Sequence, residues 1–247
     1  MQARYYDPMI GRFLAEDPVG FMDTGNPGYF NRYSYTMNDP INAIDPTGML
    51  VCDNNSNCDS LHNAAETARG HLASAQTRVN DLQSAIDAGG TLTEAQSGVK
   101  SAVEGKFGEG SATSENLGKI SAILGKIHDA IGAKGSGANV VFSPANGTAH
   151  MGAVEATNTI HVYPGFNPDS NLNTYYVSHE SGHLAGLRDQ ELPSGLGPRI
   201  GRTVTANGTT KTNAYGNSGA WWLARNDPAK AALNNDNYQC FALQGRC

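Results

Sequence analysis

Leu61, Ala65, Ala68, Leu72, Ala75, Val79, Leu82 and Ile86 follow one another at alternating spacings of four and three without a miss. That alternation keeps one face of an α-helix apolar, so the helical stretch predicted over 59–133 begins with a heptad-type seam. Gly89-Gly90 stops it. Thr93 with Gln96 three positions on reads as a capping box, and Val99, Ala102, Val103 and Phe107 give the second helix its apolar face. After the glycine-rich break GEGSATS, Ser114 caps a third helix. Leu117, Ile120, Leu124, Ile127 and Ile131 line one side, and Gly132 is the stop. Three such helices pack most simply on one another or on a neighbouring domain. Their polar faces are not strongly basic, which disfavours a lipid-surface role. His62, His71 and His128 are scattered over them and read as surface or capping residues.

The chain on either side follows other patterns. Residues 1–50 are rich in Tyr, Asp-Pro, Asn-Pro and Gly, giving short aromatic strands between turns; Tyr29, Asn31, Tyr33 and Tyr35 alternate as a half-buried strand would. Beyond residue 134, Val140–Phe142 and Ile160–Tyr163 read as short strands, and Pro164-Gly165 breaks the second. A helix carrying HESGH follows. Trp221-Trp222 begin another, with one ring in the core and the other available to line a cleft. Asp227-Pro228 reads as an N-cap with proline at the first helical position. The pattern predicts an α+β fold in three segments: 1–50, 51–135 and 136–247.

Composition narrows the function classes. Among 247 residues, charged positions make up 16%, well below the roughly 25% usual in soluble domains. That suits a secreted or delivered, loop-rich protein. The net charge of −6 and pI near 5.6 argue against a nucleic-acid partner, which needs a basic face. No apolar run is long enough for stable membrane insertion. The start, MQARYYDPMIGRF, lacks the apolar core of a signal peptide, so delivery by a secretion machine or a larger parent chain is expected. Four cysteines, Cys52, Cys58, Cys240 and Cys247, contain no CxxC and favour two disulfides over a zinc site, with three connectivities open.

The chemistry concentrates in HESGHLAGLRD, His179–Asp189. Residues four apart share a helical face, so His179 and His183 can turn toward one ion. Glu180 lies one position round, beside the ion and placed to act as general base. Zn2+ is the cofactor this donor set predicts; the bland alternative is a solvated helix face with two unrelated histidines. A catalytic zinc keeps three protein ligands. Gly186 can end the helix in a left-handed conformation and bring Asp189 round as the third. Asp227 is the runner-up, Glu191 the weaker third choice. Tyr215 is a candidate hydrogen-bond donor to a developing oxyanion, or else a half-buried loop aromatic. His161, within a strand, reads as a packing residue.

Three resemblances bear on these residues. YYDPxxGRFxxxDPxG followed by NxYxYxxNDPxNxxDPxG, over residues 3–50, resembles the end of the core domain of RHS-repeat proteins. The resemblance implies a β-rich remnant of a parent RHS shell around a C-terminal toxin. It also implies an aspartyl self-cleavage site formed by Asp17 and Asp45, cutting after Met49 at the Met49–Leu50 bond. Two close carboxylates share one proton, so one can act as acid while the other activates water; alternatively both Asp-Pro-Gly units are plain turns. HExxHxxGxxD resembles the elongated zinc motif of metzincin peptidases, although no methionine follows Met151 to supply their Met-turn. TKTNAYG with LARNDPAKAALNNDNYQCFA is similar to the aspzincin (deuterolysin-like) peptidases, whose GTxDxxYG motif supplies a third ligand and an assisting tyrosine. Laid on this chain, the tyrosine is Tyr215, the glycine Gly216, and the ligand position falls on Thr212.

Together these readings lead to a zinc metallopeptidase toxin with a zincin-like lobe, freed from an RHS shell and acting on protein in a target cell, in its periplasm or exterior. A cognate immunity protein is expected. The alternatives are a non-catalytic, membrane-acting helical toxin with a structural metal site, and a zinc amidase acting on cell wall.

Overall fold

In the computed structural model, the described residues are 5–15, 33–36, 41, 43–44, 51–53, 58–131, 141–144, 151–154, 159–194, 196, 200–206 and 209–247. The chain opens with a hairpin, β1 (Tyr6–Asp7) and β2 (Arg12–Phe13), then β3 (Ala43–Ile44) and β4 (Val51–Asp53). Three helices follow: α1 (Cys58–Asp87), α2 (Glu94–Phe107) and α3 (Ser114–Ala130). Next come β5 (Val141–Pro144), β6 (Met151–Val154), β7 (Thr159–Val162) and α4 (Asn173–Leu184). The last stretch holds β8 (Arg202–Ala206), β9 (Thr209–Asn213), α5 (Gly216–Asn226), α6 (Pro228–Ala231) and α7 (Asn235–Ala242). The fold class is α+β.

The heptad seam of α1 is buried, from Leu61 through Leu82. The predicted capping box of α2 is present in full: Gln96 N–H donates to Thr93 Oγ1 at 3.2 Å, and Thr93 N–H donates to Gln96 Oε1 at 2.9 Å. At α3 the cap is one residue earlier than expected. Thr113 Oγ1 accepts from Asn116 N–H at 3.3 Å, so Ser114 is the first helical residue. His62 also departs from the sequence reading. It is buried rather than at the surface, because it follows Leu61 onto the inward side of the first turn of α1.

The chain divides into two compact units, 1–69 with 127–184 and 70–126 with 185–247. The first unit holds a five-stranded sheet in the order β3-β4-β5-β7-β6. β4, β5 and β7 run parallel, and β3 and β6 pair antiparallel at the two ends. Among the described residues β6 is therefore an edge strand, and α4 packs on β6 and β7. Ahead of α4, Asn173 Nδ2 donates to the carbonyls of Asn167 and Pro168 at 3.0 and 2.9 Å, fixing the helix entry. At the N-terminal hairpin Tyr6, Phe13 and Tyr35 form an aromatic cluster. The alternation expected over Tyr29–Tyr35 is described only from Tyr33 on, where Ser34 makes a single bridge to Arg12 and Tyr33 is exposed while Tyr35 is buried.

In the second unit, α1 meets α3 through a polar seam. Gln76 and Gln83 donate to the carbonyls of Ser121 and Ser114, each at 3.0 Å, over the bare positions Gly125 and Gly118. Phe107 of α2 packs against Tyr238 and edge-on to Phe241 of α7. The disulfide Cys240–Cys247 closes the C-terminal turn, and Cys58 is disulfide-bonded as well, so among the described residues no cysteine is free. No helix of the described residues is long and apolar enough to cross a membrane.

Candidate metal centre

Small residues let α4 sit close to its surroundings: Ser178, Ser181 and Gly182 are buried beside Val177, and Ser181 Oγ satisfies itself on Val177 O at 2.7 Å. His179 and His183, one turn apart, bring their Nε2 atoms to 3.2 Å with the rings nearly perpendicular. Two nitrogens held about 2.05 Å from one tetrahedral zinc lie about 3.3 Å apart, so this spacing fits a shared ion. Gly186 adopts φ +92° and turns the chain. Asp189 then completes a group whose ligand atoms all lie within 4.8 Å of one another, with His179 buried and the other two half-buried. Two imidazole nitrogens and one carboxylate oxygen are a donor set that suits catalytic zinc.

The setting of Asp189 follows from strand register. Leu192 N–H donates to Thr212 O at 2.8 Å, Ala214 N–H donates to Gln190 O at 2.9 Å, and Glu191 bridges Asn213 antiparallel. Asp189 and Tyr215 each lie two residues beyond that bridge on the same side, and the Tyr215 hydroxyl donates to Asp189 Oδ2. The aspartate and the Tyr-Gly pair thus meet from two places in the chain, with the β8–β9 hairpin between them. Thr212, the ligand position in the sequence alignment, is a hairpin residue paired with Thr203.

Glu180 is half-buried, and its Oε2 accepts the backbone N–H of Ala153 in β6 at 2.9 Å. Sequence reasoning missed β6 altogether, because MGAV has no alternation to mark it. Of the other candidates, Asp227 caps α6, accepting from Lys230 N–H at 3.1 Å, as expected. Glu191 pairs with Lys211 at 2.8 Å. Trp222 packs against Leu192, Ala214, Leu223 and Ala231, whereas Trp221 is half exposed under the Arg225 guanidinium. His161 stays in β7, edge-on to Tyr163. Asp17, Asp45, Met49 and Leu50 lie outside the described residues.

No family model matches the chain. Among curated proteins it is similar to YibJ, an uncharacterised protein of Escherichia coli K12, 36% identical over 63 residues that cover 26% of this chain and 24% of that protein. It is also similar to YlbH of the same organism, 42% identical over 50 residues, 20% of this chain and 19% of the relative. Toxin protein Tse5 of Pseudomonas aeruginosa PAO1 matches at 42% identity over 48 residues, 19% of this chain and 3% of Tse5. The chain spans a quarter or less of each of these relatives. Among solved structures it is similar to a zinc peptidase from Grifola frondosa, with a TM-score of 0.42 and 17% identity over 72% of this chain and 93% of that one.

Proposed function

We propose that this chain is a zinc-dependent endopeptidase toxin. The observation that carries the reading is the convergence of His179, His183 and Asp189 within 4.8 Å, with Glu180 on the same helix. Zinc held there would supply Lewis acidity and a water of lowered pKa. The remaining work falls to the protein's own side chains. Glu180 has Oε2 tied to Ala153 N–H, so Oε1 is the atom to take a proton and pass it to the leaving amine. Tyr215, which donates to Asp189, sets the direction of that carboxylate and can turn its hydroxyl to a developing oxyanion. Among the described residues β6 is an edge strand beside Glu180. An extended polypeptide adding along that edge would bring a scissile carbonyl near the carboxylate.

The toxin part of the proposal draws on the partial match to Tse5 and on the resemblance of residues 3–50 to an RHS core end. In this reading the parent shell delivers the chain into a target cell, Asp17 and Asp45 cut the Met49–Leu50 bond to free it, and an immunity protein guards the producer. The test is Glu180→Gln in zinc-loaded protein, assayed on denatured proteins and on peptidoglycan. Zinc should be retained while cleavage of denatured proteins falls about 100- to 10,000-fold. Undiminished cleavage, or release of peptidoglycan fragments instead of peptides, would overturn the assignment.

A further inference from the structure

Asn234 is fully buried and occupies the N-cap position of α7, yet its side chain does not cap that helix. Its Oδ1 accepts from Gln190 N–H at 2.8 Å, 44 residues back. Its Nδ2 donates to Ala214 O at 3.1 Å and to Asn237 Oδ1 at 2.7 Å. Gln190 and Ala214 are partners in the ladder that brings Asp189 to Tyr215. Such a pair ordinarily exchanges two backbone bonds. Here one is direct, from Ala214 N–H to Gln190 O, and the return path runs through the Asn234 amide. Only an amide with oxygen toward Gln190 and nitrogen toward Ala214 satisfies both partners.

The next two residues hold the outer flanks. Asn235 N–H donates to Arg188 O at 3.0 Å, and Asp236 Oδ2 accepts from Gly216 N–H at 2.9 Å. Gln239 Nε2 in turn braces Asn235 Oδ1 at 2.9 Å. Three consecutive residues therefore grip the chain on both sides of Asp189 and on both sides of Tyr215. A residue that caps a helix normally uses its side chain on that helix; Asn234 uses it on two distant loops.

We infer that Asn234 is a positioning residue, an amide wedge in the ladder that sets the angle between Asp189 and Tyr215, with Asp236 fixing the tyrosine side. The inference rests on the metal-centre reading above and deepens it. Without the amide, Gln190 N–H and Ala214 O can close on each other, drawing Asp189 and Tyr215 off their present line. Without the Asp236 carboxylate, only the tyrosine side loosens.

The two arms are separable by experiment, reading zinc affinity by chelator competition and kcat on a peptide substrate. Asn234→Ala should weaken zinc about 10- to 100-fold, as loss of a group that orients a ligand does. Asp236→Ala should weaken zinc less than Asn234→Ala does and lower kcat about tenfold; Asp236→Asn, which keeps an acceptor for Gly216 N–H, should restore kcat. In a Tyr215→Phe background the Asp236→Ala penalty should disappear. Leu124→Ala in α3 is the control for general loss of stability and should not weaken zinc. The inference is overturned if wild type binds zinc and Asn234→Ala binds it equally well. The same holds if Leu124→Ala weakens zinc as much, or if Asp236→Ala loses as much kcat without the tyrosine hydroxyl. A wild type that retains no zinc would instead bring down the metal centre itself, and this inference with it.

Discussion

Along α1, Leu72, Ala75, Val79 and Leu82 are fully shielded from solvent; at the start of α7 and just before it, so are Asn234, Asn235, Asn237 and Gln239. The first set is held by contact area alone, which is non-directional and depends on apolar surface and fit. The second is held by hydrogen bonds with named partners, and each buried amide is worth having only if those bonds are made. Asn237 shows the difference. Its Nδ2 donates to Ala220 O at 3.0 Å and to Lys106 O, a carbonyl in the last turn of α2 that the helix leaves without an internal partner. An apolar seam can build a helix pair with many sequences. A polar network of this kind fixes loops in one geometry, and here the loops are those bearing Asp189 and Tyr215.

Substitutions of matched size should separate the two regions. In urea unfolding, Leu82→Ala should cost about 3 kcal/mol and Leu82→Met under about 1.5, since the seam accepts a volume-conserving swap. Asn237→Leu, close in volume, should cost about 3 kcal/mol because it strands Ala220 O, Lys106 O and the Asn234 amide. Equal tolerance at both sites would erase the contrast. A smaller effect is expected at Gly98, exposed in α2, where an added Cβ meets nothing within 4 Å. Gly98→Ala should stabilise by about 1 kcal/mol, and a fall in Tm would contradict the open environment.

The smallest effect concerns pH. Burial lowers the pKa of His62 from its ordinary 6.5, and the nearby Asp59 and Glu66 oppose that shift. The folded state therefore favours the neutral ring. Its contribution is complete above the unfolded value and is lost as pH falls below 6.5 toward the folded one. Wild type should lose more stability than His62→Gln between pH 7.5 and 5.5, and equal losses would refute a buried neutral imidazole.

What the sequence made legible follows the same division. The α1 seam, the Thr93–Gln96 box, the turn at Gly186 and the Asp227-Pro228 cap all depend on residues a few positions apart, and local spacing exposes them. His179 and His183 belong to that class. The meeting of Asp189 with Tyr215 depends on the register between residues 190–192 and β9, and no local pattern encodes it. Thr212, on which the TKTNAYG resemblance puts its ligand position, lies in the β8–β9 hairpin, paired with Thr203. The roles of Asn234 and Asp236 were hidden for a further reason. A run of Asn and Asp reads as an exposed turn, and only their partners show why it is buried. β6, four residues without alternation, left no signal at all.

The most direct test of the central claim is an anomalous-difference map at the zinc edge from crystals of the zinc-loaded chain. One peak is expected at 2.0–2.2 Å, within about 0.2 Å, from Nε2 of His179, Nε2 of His183 and a carboxylate oxygen of Asp189. No peak there, or a peak coordinated by other side chains with the two imidazoles turned apart, would contradict it.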